Sequence, residues 1–152
     1  MDMEIKNVEK RPVVGIRRRI ASSEIGNFIP EVFATVGPFF NSKGMEMTGP
    51  PVAIYYAVDG EHMDVAAGAP VTKVTETSGE ITELELSAGR VATTVYTGPY
   101  EGISAAWDEL ISEISSRNEK SVEPCWEEYL TDPSEEPDSS KWQTLLVQPL
   151  SD

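Results

Sequence analysis

The chain has 152 residues, 39% of them hydrophobic, enough apolar material for one folded domain to bury about two thirds of its unfolded surface. Twelve lysines and arginines stand against 26 aspartates and glutamates, a net charge of −14, and a field of that sign repels phosphate backbones and anionic lipid. Nucleic acid and membrane surfaces are therefore excluded as direct partners.

The first ten residues are charged and lack the apolar core of a signal peptide, and no later apolar run approaches the ~20 residues of a membrane span. A lone Cys125 has no internal disulfide partner, which fits a reducing compartment, so a cytoplasmic location is expected. Residues 1–152 are expected to form a single domain.

In chain order, β-branched residues first predict a strand over 13–20, with Arg17, Arg18 and Arg19 on it as solvated structural charges rather than an anion site. Ile25, Phe28, Ile29, Val32, Phe33, Val36 and Phe40 then repeat at helical spacing, with Ser22 or Ser23 as cap and Pro30 in the first turn or at a kink. Strands follow over 52–58, 63–71, 81–86 and 91–96, with His62 in a turn. A second helix carries Ile103, Trp107, Leu110, Ile111 and Ile114, behind Gly98 as cap and Pro99 at the first helical position. Trp107 faces the apolar side of that helix and reads as packing. Strands over 125–131 and 142–148 close the chain, separated by the acidic loop 132–140, DPSEEPDSS, which reads as a solvated connection.

Both halves run strand, helix, strand, strand, the signature of an internal duplication. Aligning PVAIYY (51–56) with PCWEEY (124–129) sets Tyr56 against Tyr129 and Ile54 against Glu127. The fold class is therefore α+β: tandem strand-helix-strand-strand units with antiparallel sheets and two main helices. Each unit packs its helix on one face and leaves the other free to curve toward its mate, so the pseudo-twofold seam is a natural ligand groove.

Much chemistry is missing. One histidine and one cysteine cannot build a usual metal site, and a serine triad has neither a Gly-x-Ser-x-Gly elbow nor a Ser-x-x-Lys pair to start from. Gly98-Pro99-Tyr100 is too short for a phosphate loop and loses an amide donor to its proline. No metal or cofactor is expected. What remains is the segment 124–133, PCWEEYLTDP, where alternation puts Cys125, Glu127 and Tyr129 on one face and Trp126, Glu128 and Leu130 on the other. Whichever face is covered, a carboxylate lies beside an aromatic ring. A buried carboxylate must take up a proton, gain hydrogen bonds or meet a cation. The alternative is that both glutamates are solvated on an edge strand.

The motifs Ala88-Gly89-Arg90-Val91-Ala92, Thr97-Gly98-Pro99-Tyr100 with Ala106-Trp107-Asp108-Glu109-Leu110, and Trp126-Glu127-Glu128-Tyr129-Leu130-Thr131-Asp132-Pro133 give the chain a specific likeness. It resembles the stand-alone GyrI-like small-molecule-binding domains, related to the effector-binding domains of multidrug-responsive transcription activators. The resemblance implies a tandem fold with a ligand groove between the units. It also implies Glu127 as the pocket acid, Glu128 as the outward one, and Tyr129, Trp142, Tyr100 and Tyr56 as aromatic contributors. With no helix-turn-helix ahead of the first strand, the chain is not expected to act as a transcription factor by itself.

Three functions are compatible with these residues. The first is a binding module for hydrophobic or cationic aromatic small molecules, with Glu127 compensating the ligand's charge. The second, implied by relatives thought to open cyclopropane rings of genotoxic natural products, is a hydrolase in which Glu127 is the catalytic general base. The third is an inhibitory protein partner of a topoisomerase, its acidic surface mimicking nucleic acid.

Overall fold

The computed structural model describes residues 2–74 and 76–152. In chain order it contains β1 (Glu4–Val8), β2 (Arg11–Ala21), α1 (Ile25–Lys43), β3 (Val52–Val58), β4 (His62–Pro70), β5 (Thr82–Leu86), β6 (Gly89–Thr97), α2 (Ile103–Ser116), β7 (Cys125–Tyr129) and β8 (Gln143–Pro149). Single 3-10 turns at Ser22–Glu24, Tyr100–Gly102 and Ser139–Lys141 lead into α1, α2 and β8.

All eight strands join one antiparallel sheet in the order β1-β6-β8-β7-β3-β4-β2-β5. The duplication is visible in that order. One unit is β2-α1-β3-β4, the other β6-α2-β7-β8, and they meet where β3 pairs with β7, Val52 opposite Glu128 and Tyr55 opposite Cys125. The units thus share one continuous sheet. At its two ends lie β5 and the short β1, a strand the sequence pattern did not reveal.

The connections require the sheet to curl. Ser87 and Ala88 alone link β5 to β6, and Glu9 and Lys10 alone link β1 to β2, although each pair lies six strand positions apart. A flat sheet would separate such strands by roughly 29 Å at ~4.8 Å per step, whereas a two-residue link spans at most about 11 Å. The ends therefore approach each other and the sheet is a half-barrel.

Burial follows from this shape. Val13, Val52, Ile54, Ala66, Leu86, Val91, Trp126 and Val147, drawn from both ends and the middle of the sheet, form one cluster on the concave side. The helices cover the other face. Phe28, Val32, Val36 and Phe40 of α1 pack on Val14, Ile16, Val65 and Ala67, while Ala106, Leu110 and Ile114 of α2 pack on Ala92 and Leu146.

Helix starts differ from the sequence reading. Ser22 lies in the 3-10 turn, Glu24 occupies the cap of α1, and no side chain caps it. Pro30 lies beyond the first turn and Pro38 deeper still, yet the helix continues. Both prolines are exposed, so the carbonyls they leave without a backbone donor can turn to water. Before α2, Pro99 is extended and flanks the 3-10 turn, while Gly98 takes φ 145°, a backbone conformation suited to glycine, and donates its N–H to the Trp142 carbonyl at 2.8 Å.

Candidate functional site

β7 is where the two faces of the sheet separate the two glutamates. Glu127 projects to the helix-bearing face, between α1 and α2, and is 4% exposed. Its Oε1 accepts hydrogen bonds from Tyr129 Oη at 2.7 Å and Tyr55 Oη at 3.1 Å, and its Oε2 accepts one from Trp107 Nε1 at 2.7 Å. Among the described residues the ion pairs all lie elsewhere, so the donors to this carboxylate are neutral.

The electrostatics follow from that enclosure. Burial raises the Glu127 pKa, and the bonds from Tyr129, Trp107 and Tyr55 pull it partly back. Burial, then the charge of Glu127, pushes the Tyr55 and Tyr129 hydroxyls well above the usual range, so both stay protonated and donate. Cys125, two residues before Glu127, is pushed up to about 12, by burial and then by the same carboxylate, so its thiol is not poised as a nucleophile.

Aromatic rings surround the acid. Tyr129 meets Phe33 of α1 edge-on at 6.4 Å and Tyr100 at 5.8 Å, and Tyr100 meets Trp142 at 4.9 Å. Trp142 is pinned by its indole N–H, which donates to the Glu136 carbonyl at 2.7 Å, so the acidic loop also holds an aromatic wall. Glu127, Tyr129, Tyr100 and Trp142 are thus brought together along the seam.

Tyr56 is not with them. Strand alternation sends the two adjacent tyrosines to opposite faces: Tyr55 packs with the helix-side cluster, while Tyr56 follows Val52 and Ile54 onto the concave side, with the Arg17 guanidinium 3.6 Å above its ring. Tyr55 takes the place beside the acid. The repeat alignment missed it because it is one residue out of phase: it equates Ile54 and Tyr56, on the concave side, with Glu127 and Tyr129, on the helix-bearing side. Trp107 does pack with the α2 cluster, as read from its helical face, but its indole N–H also reaches the acid.

Glu128 needs correction as well. It points away from Glu127 but not into solvent: it is 6% exposed on the concave side, where Oε2 accepts from Arg11 Nη2 at 2.8 Å and Trp126 Nε1 at 3.0 Å. The arginines of β2 are structural, Arg17 with Asp64, Arg18 with Glu80 and Arg19 with Asp59.

Two cavities flank this architecture. One of about 250 Å³ is lined by Tyr55 and Cys125 of the seam together with Val58, Val122 and Gln148; it shares the donor Tyr55 with the site, but Glu127 does not line it. A larger one of about 620 Å³ lies near Tyr56, Arg17 and β5 and shares no lining residue with Glu127's donors. Glu127 itself is sealed, so any ligand that reaches it must displace a neighbouring side chain. Chemically the site can neutralise a cation, or accept a proton from a water admitted beside it. No cluster of three metal-ligating side chains exists among the described residues.

The family model for the GyrI-like small molecule binding domain matches residues 1–151. The chain belongs to this family. As a GyrI-like domain it binds small molecules, and no helix among its described residues is long and apolar enough to cross a membrane. Its fold is shared with the EcmrR C-terminal domain, at a TM-score of 0.84 and 20% identity, covering 99% of this chain and 98% of that one. Against EcmrR in its DNA complex the TM-score is 0.80 at 19% identity, and this GyrI-like chain spans 57% of that protein. SAV2435 bound to tetraphenylphosphonium matches with a TM-score of 0.74 at 13% identity, covering 99% and 94% of the two chains. A hydrolase from Listeria innocua matches at 0.67 and 13%, covering 98% and 91%. No curated protein matches. At these identities the likeness extends to fold alone.

Proposed function

We propose that this GyrI-like domain is a cytoplasmic binding protein for aromatic, cationic or amphipathic small molecules, and that Glu127 is the carboxylate that receives their charge. The observation that carries this reading is a carboxylate 4% exposed, enclosed by aromatic side chains and bonded by neutral donors without a cation. A buried ionised group of that kind gains from a positive partner, and desolvated tyrosine and tryptophan faces add cation–π attraction of roughly 0.5 to 2 kcal/mol each. Tyr129, Tyr100 and Trp142 supply those faces, with Tyr55 and Trp107 beside them. The tetraphenylphosphonium held by SAV2435 on the same fold supplies a probe.

Thermal-shift titration of wild type and Glu127→Gln with tetraphenylphosphonium tests the assignment. At a hundred times its dissociation constant the ligand adds about 2.7 kcal/mol to the wild type and little to the variant. Equal stabilisation of both proteins removes Glu127 from the site.

A hydrolase is the second reading, favoured by the raised proton affinity of Glu127 in an enclosed setting, which suits a general base. Mass spectrometry of a cyclopropane-bearing alkylator after incubation separates the two. Recovery with one added water, abolished in Glu127→Gln, establishes turnover; a compound that stabilises wild type but not Glu127→Gln and is recovered unchanged establishes binding.

A further inference from the structure

Thr144 carries a hydroxyl that the folded chain leaves idle. Its side chain is 0% exposed and Oγ1 has no hydrogen-bond partner. An unpaired hydroxyl in the interior costs stability, and valine would fill the same space without that cost. A purely structural position would favour valine.

The register shows what surrounds it. β8 pairs with both β6 and β7, which sets Thr144 between Tyr96 and Tyr129. Alternation along β8 puts Thr144 on the face of Leu146, the residue paired with Glu127. Thr144 is thus the diagonal neighbour of the buried carboxylate on the helix-bearing face, roughly 7 to 8 Å away at the side-chain base. The hydroxyl and amide groups near it on β6, β7 and β8 are engaged, and the other buried hydroxyl without a partner, that of Ser22, lies in the turn before α1. Thr94 donates to the Asp2 carbonyl at 2.8 Å, Tyr96 to Pro99 at 2.7 Å, Gln148 to Val122 at 2.9 Å and Tyr129 to Glu127 at 2.7 Å.

We infer that Thr144 is a specificity-determining residue of the seam site, its hydroxyl bonding a polar substituent of an aromatic cation whose charge rests at Glu127. The inference rests on the binding reading above and narrows its ligand class. The preferred ligand carries a cationic centre and, a ring or so away, an amino, hydroxyl or carbonyl group; a hydroxyl serves all three because it both donates and accepts. Tyr100, a half-exposed ring on a single 3-10 turn beside Tyr129, is the cover whose movement opens the approach.

Ethidium, an aromatic cation bearing amino groups, and tetraphenylphosphonium, which has no hydrogen-bonding atom, are the paired probes. Thr144→Val is expected to raise the melting temperature of the empty protein by about 2 to 4 °C, because the unpaired hydroxyl is gone. The same change is expected to lower the ratio of ethidium to tetraphenylphosphonium affinity about tenfold, and Thr144→Ser to restore it. An unchanged ratio while Glu127→Gln abolishes ethidium binding overturns the Thr144 assignment and leaves the parent reading standing. A lowered melting temperature in Thr144→Val also overturns it, since the hydroxyl then has a structural partner. Failure of wild type to bind either probe overturns the parent reading and Thr144 with it.

Discussion

At Glu127, burial and hydrogen bonding pull the proton affinity in opposite directions, and burial prevails. The folded-state pKa therefore lies above the usual carboxylate value, and as pH falls through it the site takes up a proton and loses its charge. Cation affinity is expected to weaken across that range in wild type and to be flat with pH in any residual binding of Glu127→Gln, as read by calorimetric titration at a series of pH values. A flat wild-type profile would take the carboxylate out of recognition. The stability sign is the reverse of an ordinary ion-paired acid: the folded state holds the proton more tightly than the unfolded chain, so this contribution is present below the unfolded pKa and lost as pH rises through the folded one. How far this site was legible can be stated residue by residue. Alternation in PCWEEY narrowed the acid to Glu127 or Glu128, and the family likeness chose between them. The buried fate of Glu128 was hidden because its partner Arg11 lies 117 residues away. Tyr55 was hidden because the repeat alignment is one residue out of phase and so set Tyr56 in its place beside the acid.

Elements were legible where periodicity was strong. The two helices and seven strands are present, while β1, EIKNV, lacks a sustained apolar alternation because it lies at the sheet edge. Helix entries were less legible, since each begins with a 3-10 turn that serine, glycine and proline patterns do not distinguish from a capped start. One close approach fixes the first unit. Gly15 and Gly68 face each other across β2 and β4, and a Cβ on either would collide with the opposing backbone, at the Ala67 carbonyl or the Val14 carbonyl. Backbone cannot yield as a side-chain tip does, so Gly68→Ala is expected to cost about 3 kcal/mol or more in urea denaturation. Near-neutral stability would mean the strands can separate there without consequence.

Across the whole molecule, the repeat does not divide the chain into independent halves. β1, at the start of the sequence, pairs with β6 of the second unit, β5 pairs back with β2 of the first, and β3 pairs with β7 at the seam. Unfolding is therefore expected to be a single transition, with tryptophan fluorescence and far-ultraviolet circular dichroism giving coincident urea curves. Two separated transitions would show that the seam is weaker than the units it joins.

The free edges of the sheet carry a further consequence. β1 and β5 are five residues each and bear Glu4, Lys6, Glu83 and Glu85, while the two-residue links draw the ends of the sheet toward one another. An incoming strand from another copy meets a short, charged, curved template at either end, a poor start for the edge-to-edge stacking that leads to aggregates. The same lacing that shapes the half-barrel thus also guards its edges against pairing with another copy.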